Sequence, residues 1–118
     1  MFDYYQSCVE ALKELSFLSV ELGLERGIGA KDAPFIRVLP IKSKENGNNT
    51  DLIFQVIYGY DRKNKEIVSM YRDFFDGEEQ IKKALKRIPA FWVETETDKD
   101  EVPNLKVAVM TFKASICQ

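Results

Sequence analysis

Histidine is absent from the 118-residue chain. That removes His-based nucleophile triads, His general bases and His zinc ligands together. Carboxylate, lysine, tyrosine or cysteine chemistry remains open, but the commonest catalytic side chain is gone, and no enzyme is expected. Cysteine is nearly absent as well. Cys8 and Cys117 stand at opposite ends of the chain and are read as small, reduced apolar residues rather than a disulfide or a redox pair. No apolar run approaches the roughly 20 residues that a membrane-spanning helix needs. The opening MFDYYQSCVE lacks the basic and apolar regions of a secretory signal. Excess charge is lacking too: 19 acidic and 17 basic side chains leave a formal −2. A general attraction to nucleic acid or to an anionic membrane is therefore not expected. Repeats, linkers and low-complexity tracts are missing, which points to one domain over 1–118.

What is present is organised around IVSMYRDFFDGEEQIKKALKRI, from Ile67 to Ile88. Ile67, Tyr71, Phe74, Ile81, Leu85 and Ile88 recur in steps of four and three, broken at Glu78, which is the stripe of one amphipathic helix. Gly77 near its middle predicts a kink, or a second helix capped by Asp76. Pro89 ends the run. A shorter helix is expected from Asp3 to Leu15, with Asp3 as its cap and Gln6 in capping-box spacing.

The other segments read as strands. SFLSVELG fits either period: Leu15, Leu18 and Leu22 continue a helical stripe, while Leu18, Val20 and Leu22 alternate as a strand at 17–22. Residues 24–33, with Gly27 and Gly29, read as a loop; Gly-Ile-Gly lacks the further glycine and following helix of a nucleotide-binding fingerprint. PFIRVLPIKS puts Phe35, Arg37, Leu39 and Ile41 on one face and Ile36, Val38 and Pro40 on the other. Pro40 has no N–H to give, so this strand is expected at an edge or bulged there. Asn46-Gly47 marks a hairpin, with strands 34–43 and 50–60 joined by a loop longer than two residues. In the second strand Leu52, Phe54, Val56, Tyr58 and Tyr60 share the face a helix would cover. After the charged turn DRKNK and the long helix, AFWVETET puts Phe91, Val93 and Thr95 opposite Trp92, Glu94 and Glu96. LKVAVMTFKAS is apolar on both faces, as a central strand would be. The expected fold is α+β: an antiparallel or mixed sheet of four to five strands built from two hairpins, packed by a long central helix and an N-terminal helix.

No constellation compels catalysis, a metal or a cofactor. Glu94, Glu96, Asp98, Asp100 and Glu101 form an acidic strand end and turn, without the loop pattern of an EF-hand. Lys82, Lys83, Lys86 and Arg87 suit the negative end of a helix dipole. Arg37 sits among apolar neighbours, as a snorkelling or paired strand arginine or as the anchor of a subunit interface.

In layout, the opening helix, APFIRVLPIKS, TDLIFQVIYGYDRKNKE, the helix through KKALKRI and the closing EVPNLKVAVMTFKAS resemble tail terminator, or tail-completion, proteins of long-tailed bacteriophages and prophages. The resemblance covers most of the chain, but it is one of pattern without a fixed chemical motif. It implies a structural virion-assembly role. Copies would form a ring, typically a hexamer, that ends the tail tube and meets head-completion proteins, first in the host cytoplasm and then in the virion. On that reading the interface candidates are Arg37, the hairpin loop 44–50 with Asn46 and Asn48, Lys83, Arg87, and the acidic turn with Asp98, Asp100 and Glu101. Sequence-specific nucleic-acid binding and membrane partners are not implied. The competing reading is a small acidic binding protein, such as a toxin-neutralising immunity protein.

Overall fold

The computed structural model describes residues 1–61, 66–97 and 105–117. The charged turn 62–65 and the acidic turn carrying Asp98, Asp100 and Glu101 lie outside the described residues. The elements run α1 (Phe2–Lys13), β1 (Ser19–Leu22), a 3-10 turn (Ala30–Asp32), β2 (Phe35–Asn46), β3 (Asn49–Asp61), α2 (Ile67–Lys86), β4 (Phe91–Thr97) and β5 (Leu105–Cys117). They form one mixed five-stranded sheet in the order β1-β2-β3-β5-β4. Two antiparallel hairpins, β2–β3 and β4–β5, meet along an antiparallel β3–β5 ladder, and β1 adds in parallel to β2. This is the expected α+β architecture, and 17–22 resolves to a strand over its last four residues.

Both helices cover one face of the sheet. Tyr5, Cys8, Val9 and Leu12 of α1 and Met70, Phe74, Ile81, Ala84 and Leu85 of α2 pack on Leu52, Phe54, Val56 and Tyr58 of β3 and on Ala108, Met110 and Phe112 of β5. The ladder places Phe54 opposite Phe112, and their rings stack at 5.6 Å. Glu78, the gap in the helical stripe, is half-buried and reaches Lys82 at 3.5 Å. The charged pair one turn apart lets a carboxylate stand in an otherwise apolar seam.

Four expectations are corrected. First, α2 runs unbroken through Gly77 from Ile67 to Lys86 with Glu66 as its N-cap, so no second helix capped by Asp76 begins there. A Cβ at position 77 would come 2.8 Å from Tyr58 Cζ and nearer still to its hydroxyl. Glycine is there for a close helix-to-sheet approach. Second, α1 ends at Lys13 and its N-cap is Met1; Asp3 lies in its first turn and makes no capping bond. A carboxylate there still meets the positive end of the helix dipole. Third, the β2–β3 connection is a two-residue turn at Gly47-Asn48, not a long loop. Asn46 pairs with Asn49, and Gly47 takes a φ of 65°, which suits a tight hairpin turn. The polar residues 44–46 and 49 continue the ladder, because backbone pairing needs no buried side chain. Strands of 12 and 13 residues give the molecule its 50 Å long axis.

The fourth correction concerns which side chains share a face. The β2–β3 register shifts between Pro40 and Lys42, and the β4–β5 register shifts between Trp92 and Glu94. Each bulge adds one residue, Ile41 and Val93 respectively, and flips the alternation beyond it. Lys42, paired with Ile53, therefore joins Arg37 and Leu39 on the face away from the helices. Trp92 stands opposite Phe112 on the helix side, while Phe91, Glu94 and Glu96 share the open side. The proline expectation is met in both of its forms. Pro40 borders a bulge, and it lies past the end of β1, where β2 has become an edge among the described residues.

Candidate functional site

Among the described residues, the face of the sheet away from the helices is covered at one end only. There residues 24–34 fold over it, and Ile28, Ala30 and Ala33 pack on Phe35, Ile57, Leu105 and Val107 as a second small core. Gly27, at φ 77°, serves the turn of this loop. Arg37 fastens it. Its Nε and Nη2 donate to the two carboxylate oxygens of Glu25 at 2.7 and 3.1 Å. Nη1 donates to Ser19 Oγ at 3.0 Å and to the Ile36 carbonyl at 2.9 Å. A guanidinium only 4% exposed needs such a full set of acceptors. Its bonds hold the Glu25 carboxyl below its ordinary pKa. Of the two readings of Arg37, the paired strand arginine is the one the geometry matches.

The other end of this face is open among the described residues. Two cross-strand rows line a groove of about 400 Å³. One row runs Lys42, Ile53, Lys113, Phe91 and the other Lys44, Asp51, Ser115. Ile53 and the 65% exposed Phe91 give it an apolar floor and wall. Lys42, Lys44 and Lys113 surround them without an ion pair among the described residues. Asp51, opposite Lys44, instead accepts the Asn46 amide N–H at 3.1 Å. An apolar centre ringed by unpaired cations suits an acidic partner that brings apolar side chains with its carboxylates.

Such a surface exists on the same molecule. The edge strand β4 exposes Trp92 and Val93 beyond the groove's own Phe91 and carries exposed Glu94 and Glu96 on the open face. The opposite sheet edge, at β1 and the outer half of β2, exposes Leu18, Leu22, Leu24 and Ile41. Trp92 is partly held by its own chain. Its Nε1 donates to Thr95 Oγ1 at 2.8 Å, and Lys82 Nζ lies 3.7 Å from the ring centroid. Lys82, which also bridges Glu78 and Glu79, is thus turned toward the sheet, whereas Lys83, Lys86 and Arg87 are exposed.

The other interface candidates are dispersed. Asn46 and Asn48 lie exposed at the far hairpin tip. Lys83 and Arg87 lie at the C-terminal end of α2, where Arg87 approaches Glu14 at 3.5 Å. The fold does not bring these together with Arg37. The groove was missed in the sequence because Lys42, Lys44 and Lys113 converge only through a bulge and a cross-strand register. The period-two spacing of Lys42 and Lys44 was its one visible trace.

Among the described residues no group of three or more Cys, Asp or Glu is placed to hold a metal, and no helix is long and apolar enough to cross a membrane. Burial pushes the Cys8 thiol up to about 12, which keeps it protonated and unreactive at neutral pH. No protein-family model and no curated protein matches this chain.

Proposed function

We propose that this chain is a structural subunit whose copies join head to tail into a closed ring, in the manner of the tail terminators that its layout resembles. One observation carries the reading: the open groove is basic and apolar, while the β4 edge is acidic and apolar. The two surfaces are unlike and complementary. A contact between unlike patches is heterologous, and repeated around an axis it closes into a ring. The symmetric alternative, β4 against β4 of a second copy, would bring Glu94 and Glu96 near their own counterparts, and like charges across a strand pair repel. The role is then mechanical and not catalytic, exercised in virion assembly in the host cytoplasm and retained in the neck of the tail. Ends of the ring would meet the tail tube on one side and head-completion proteins on the other. The exposed Lys83 and Arg87 and the hairpin tip with Asn46 and Asn48 are further contact candidates.

Sedimentation velocity over a wide concentration range tests this. The wild type is expected to assemble with increasing concentration. Lys42→Glu with Lys113→Glu is expected to stay monomeric, as is Glu94→Lys with Glu96→Lys, and mixing the two double variants should restore association between them. A wild type that stays monomeric throughout would favour the stand-alone binding protein instead.

A further inference from the structure

We propose that the free edge of β2 takes up β4 of the next copy as an added antiparallel strand, with Glu94 opposite Lys44 and Glu96 opposite Lys42. The inference rests on the ring reading and gives its contact a form: backbone pairing at the rim of the groove, so that the sheets of successive copies run on as one.

Among the described residues β1 pairs with β2 only from Phe35 to Val38. From Leu39 to Asn46, β2 has β3 on one side and an open edge on the other. β4 has only β5 beside it. Open edges are templates for another strand, and charge is one means of blunting them. Here the charges on the two edges are opposite and matched. Lys42 and Lys44 stand two apart on β2, and Glu94 and Glu96 two apart on β4. All four are exposed, and all lie on the open face. Exposed Ile41 flanks the lysines, and exposed Trp92 and Val93 flank the glutamates. Side chains two apart share a strand face, so a single register satisfies both pairs.

Topology sets the direction. β2 runs antiparallel to β3, β3 to β5 and β5 to β4, so β4 points opposite to β2. A second copy placed alongside, its helices on the same side, therefore offers β4 antiparallel to β2. Glu94 and Glu96 then meet Lys44 and Lys42 directly across the ladder, and Thr95 meets Ser43 on the helix side. Flush pairing is closed off. Within one sheet Glu96 is level with Arg37, through Val109 and Ile57, and the place beside Arg37 is held by Glu21 of β1. Sliding the incoming strand by about four residue steps, roughly 13 Å, clears β1 and brings Glu96 to Lys42. Repeated across a five-stranded sheet about 24 Å wide, this stagger inclines the strands by about 30° to the ring axis. A sheet that closes on itself needs such a tilt.

The test is disulfide trapping in the full chain carrying Cys117→Ser, Cys8 being buried. Ser43→Cys protein is mixed with Thr95→Cys protein at a concentration where the Cys117→Ser chain sediments as an assembly. The mixture is oxidised with copper phenanthroline and run on a non-reducing gel. A disulfide-linked dimer is expected. Ser43→Cys mixed with Thr97→Cys, two residues out of register, should give several-fold less, because diagonal neighbours lie at or beyond the roughly 7 Å that a disulfide spans. Amide hydrogen exchange of the Cys117→Ser chain, which needs neither trapping substitution, should slow several-fold over 41–46 and 94–97 on assembly. Assembly without the disulfide between positions 43 and 95, equal trapping at 97, or unchanged exchange at both edges would overturn the strand pairing and leave the ring standing. A chain that stays monomeric at every concentration would overturn the ring reading and the strand pairing with it.

Discussion

Gly77→Ala sets two effects of opposite sign against each other. Alanine in a helix interior is better than glycine by about 1 kcal/mol. Position 77 lies well inside α2, so propensity alone calls for stabilisation. The added methyl carbon, however, would stand 2.8 Å from Tyr58 Cζ and closer to the hydroxyl oxygen, where carbon contacts prefer about 3.5–4.0 Å. Tyr58 has little room to yield. Its ring stacks on Phe74 at 5.0 Å and meets Phe17 edge-on at 5.4 Å. Overpacking at such a site costs about 1–3 kcal/mol, so the net expectation is destabilisation by about 1 kcal/mol. Tyr58→Phe removes the nearest atom but leaves Cζ in place, so it relieves part of the clash. Urea denaturation of the wild type, both single variants and the double variant forms a cycle, whose coupling should favour the double variant by about 0.5 kcal/mol or more. Gly77→Ala more stable by the full propensity gain, or strictly additive with Tyr58→Phe, would refute the close-approach explanation.

Other expectations follow from the core, the clasp and the thiols. Leu85 is fully buried, and Leu85→Asp places an unpaired carboxylate there, at a cost of several kcal/mol against a typical total of about 5–15. It should abolish folding by circular dichroism, whereas Lys83→Glu, on the exposed side of α2, should melt near the wild type; a folded Leu85→Asp protein would contradict the packing. Arg37 holds the folded Glu25 carboxyl below its ordinary 4.5. The stabilisation from this pair is therefore complete above the unfolded-state pKa and is lost as pH falls through the lower folded-state value. Glu25→Gln should accordingly weaken the acid dependence of urea midpoints below about pH 4.5. A thiol-reactive disulfide reagent at neutral pH should find Cys117 in the native chain, because Cys8 is buried and its thiol is pushed up to about 12; denaturation should expose the second thiol.

Where residue periodicity met burial, the fold was legible. The stripe of Phe74, Ile81 and Leu85 and the alternation Leu52, Phe54, Val56, Tyr58 gave the helix and the central strand, because each pattern reports one buried face. The edges were less legible, since an edge strand is constrained by backbone pairing more than by burial. The polar stretch around Asn46 looked like a long loop for that reason, although the ladder holds it to Asn49. Single-residue bulges at Ile41 and Val93 leave no periodic mark, yet they decide that Lys42 faces the open side and Trp92 the helices. The partner of Arg37 was hidden in a loop of no fixed pattern, 12 residues away. Gly77 stands out in the sequence, but its reason lies in Tyr58 on another element.

In the proposed ring a basic, apolar groove and an acidic, apolar strand edge belong to one repeated contact. Sedimentation velocity of the Lys42→Glu/Lys113→Glu and Glu94→Lys/Glu96→Lys proteins, alone and mixed, measures it most directly. Each protein alone should remain a monomer of about the wild type's 13.6 kDa, and the mixture should associate as the wild type does. Assembly of wild type and both variants alike, or a wild type that stays monomeric at every concentration, would contradict it.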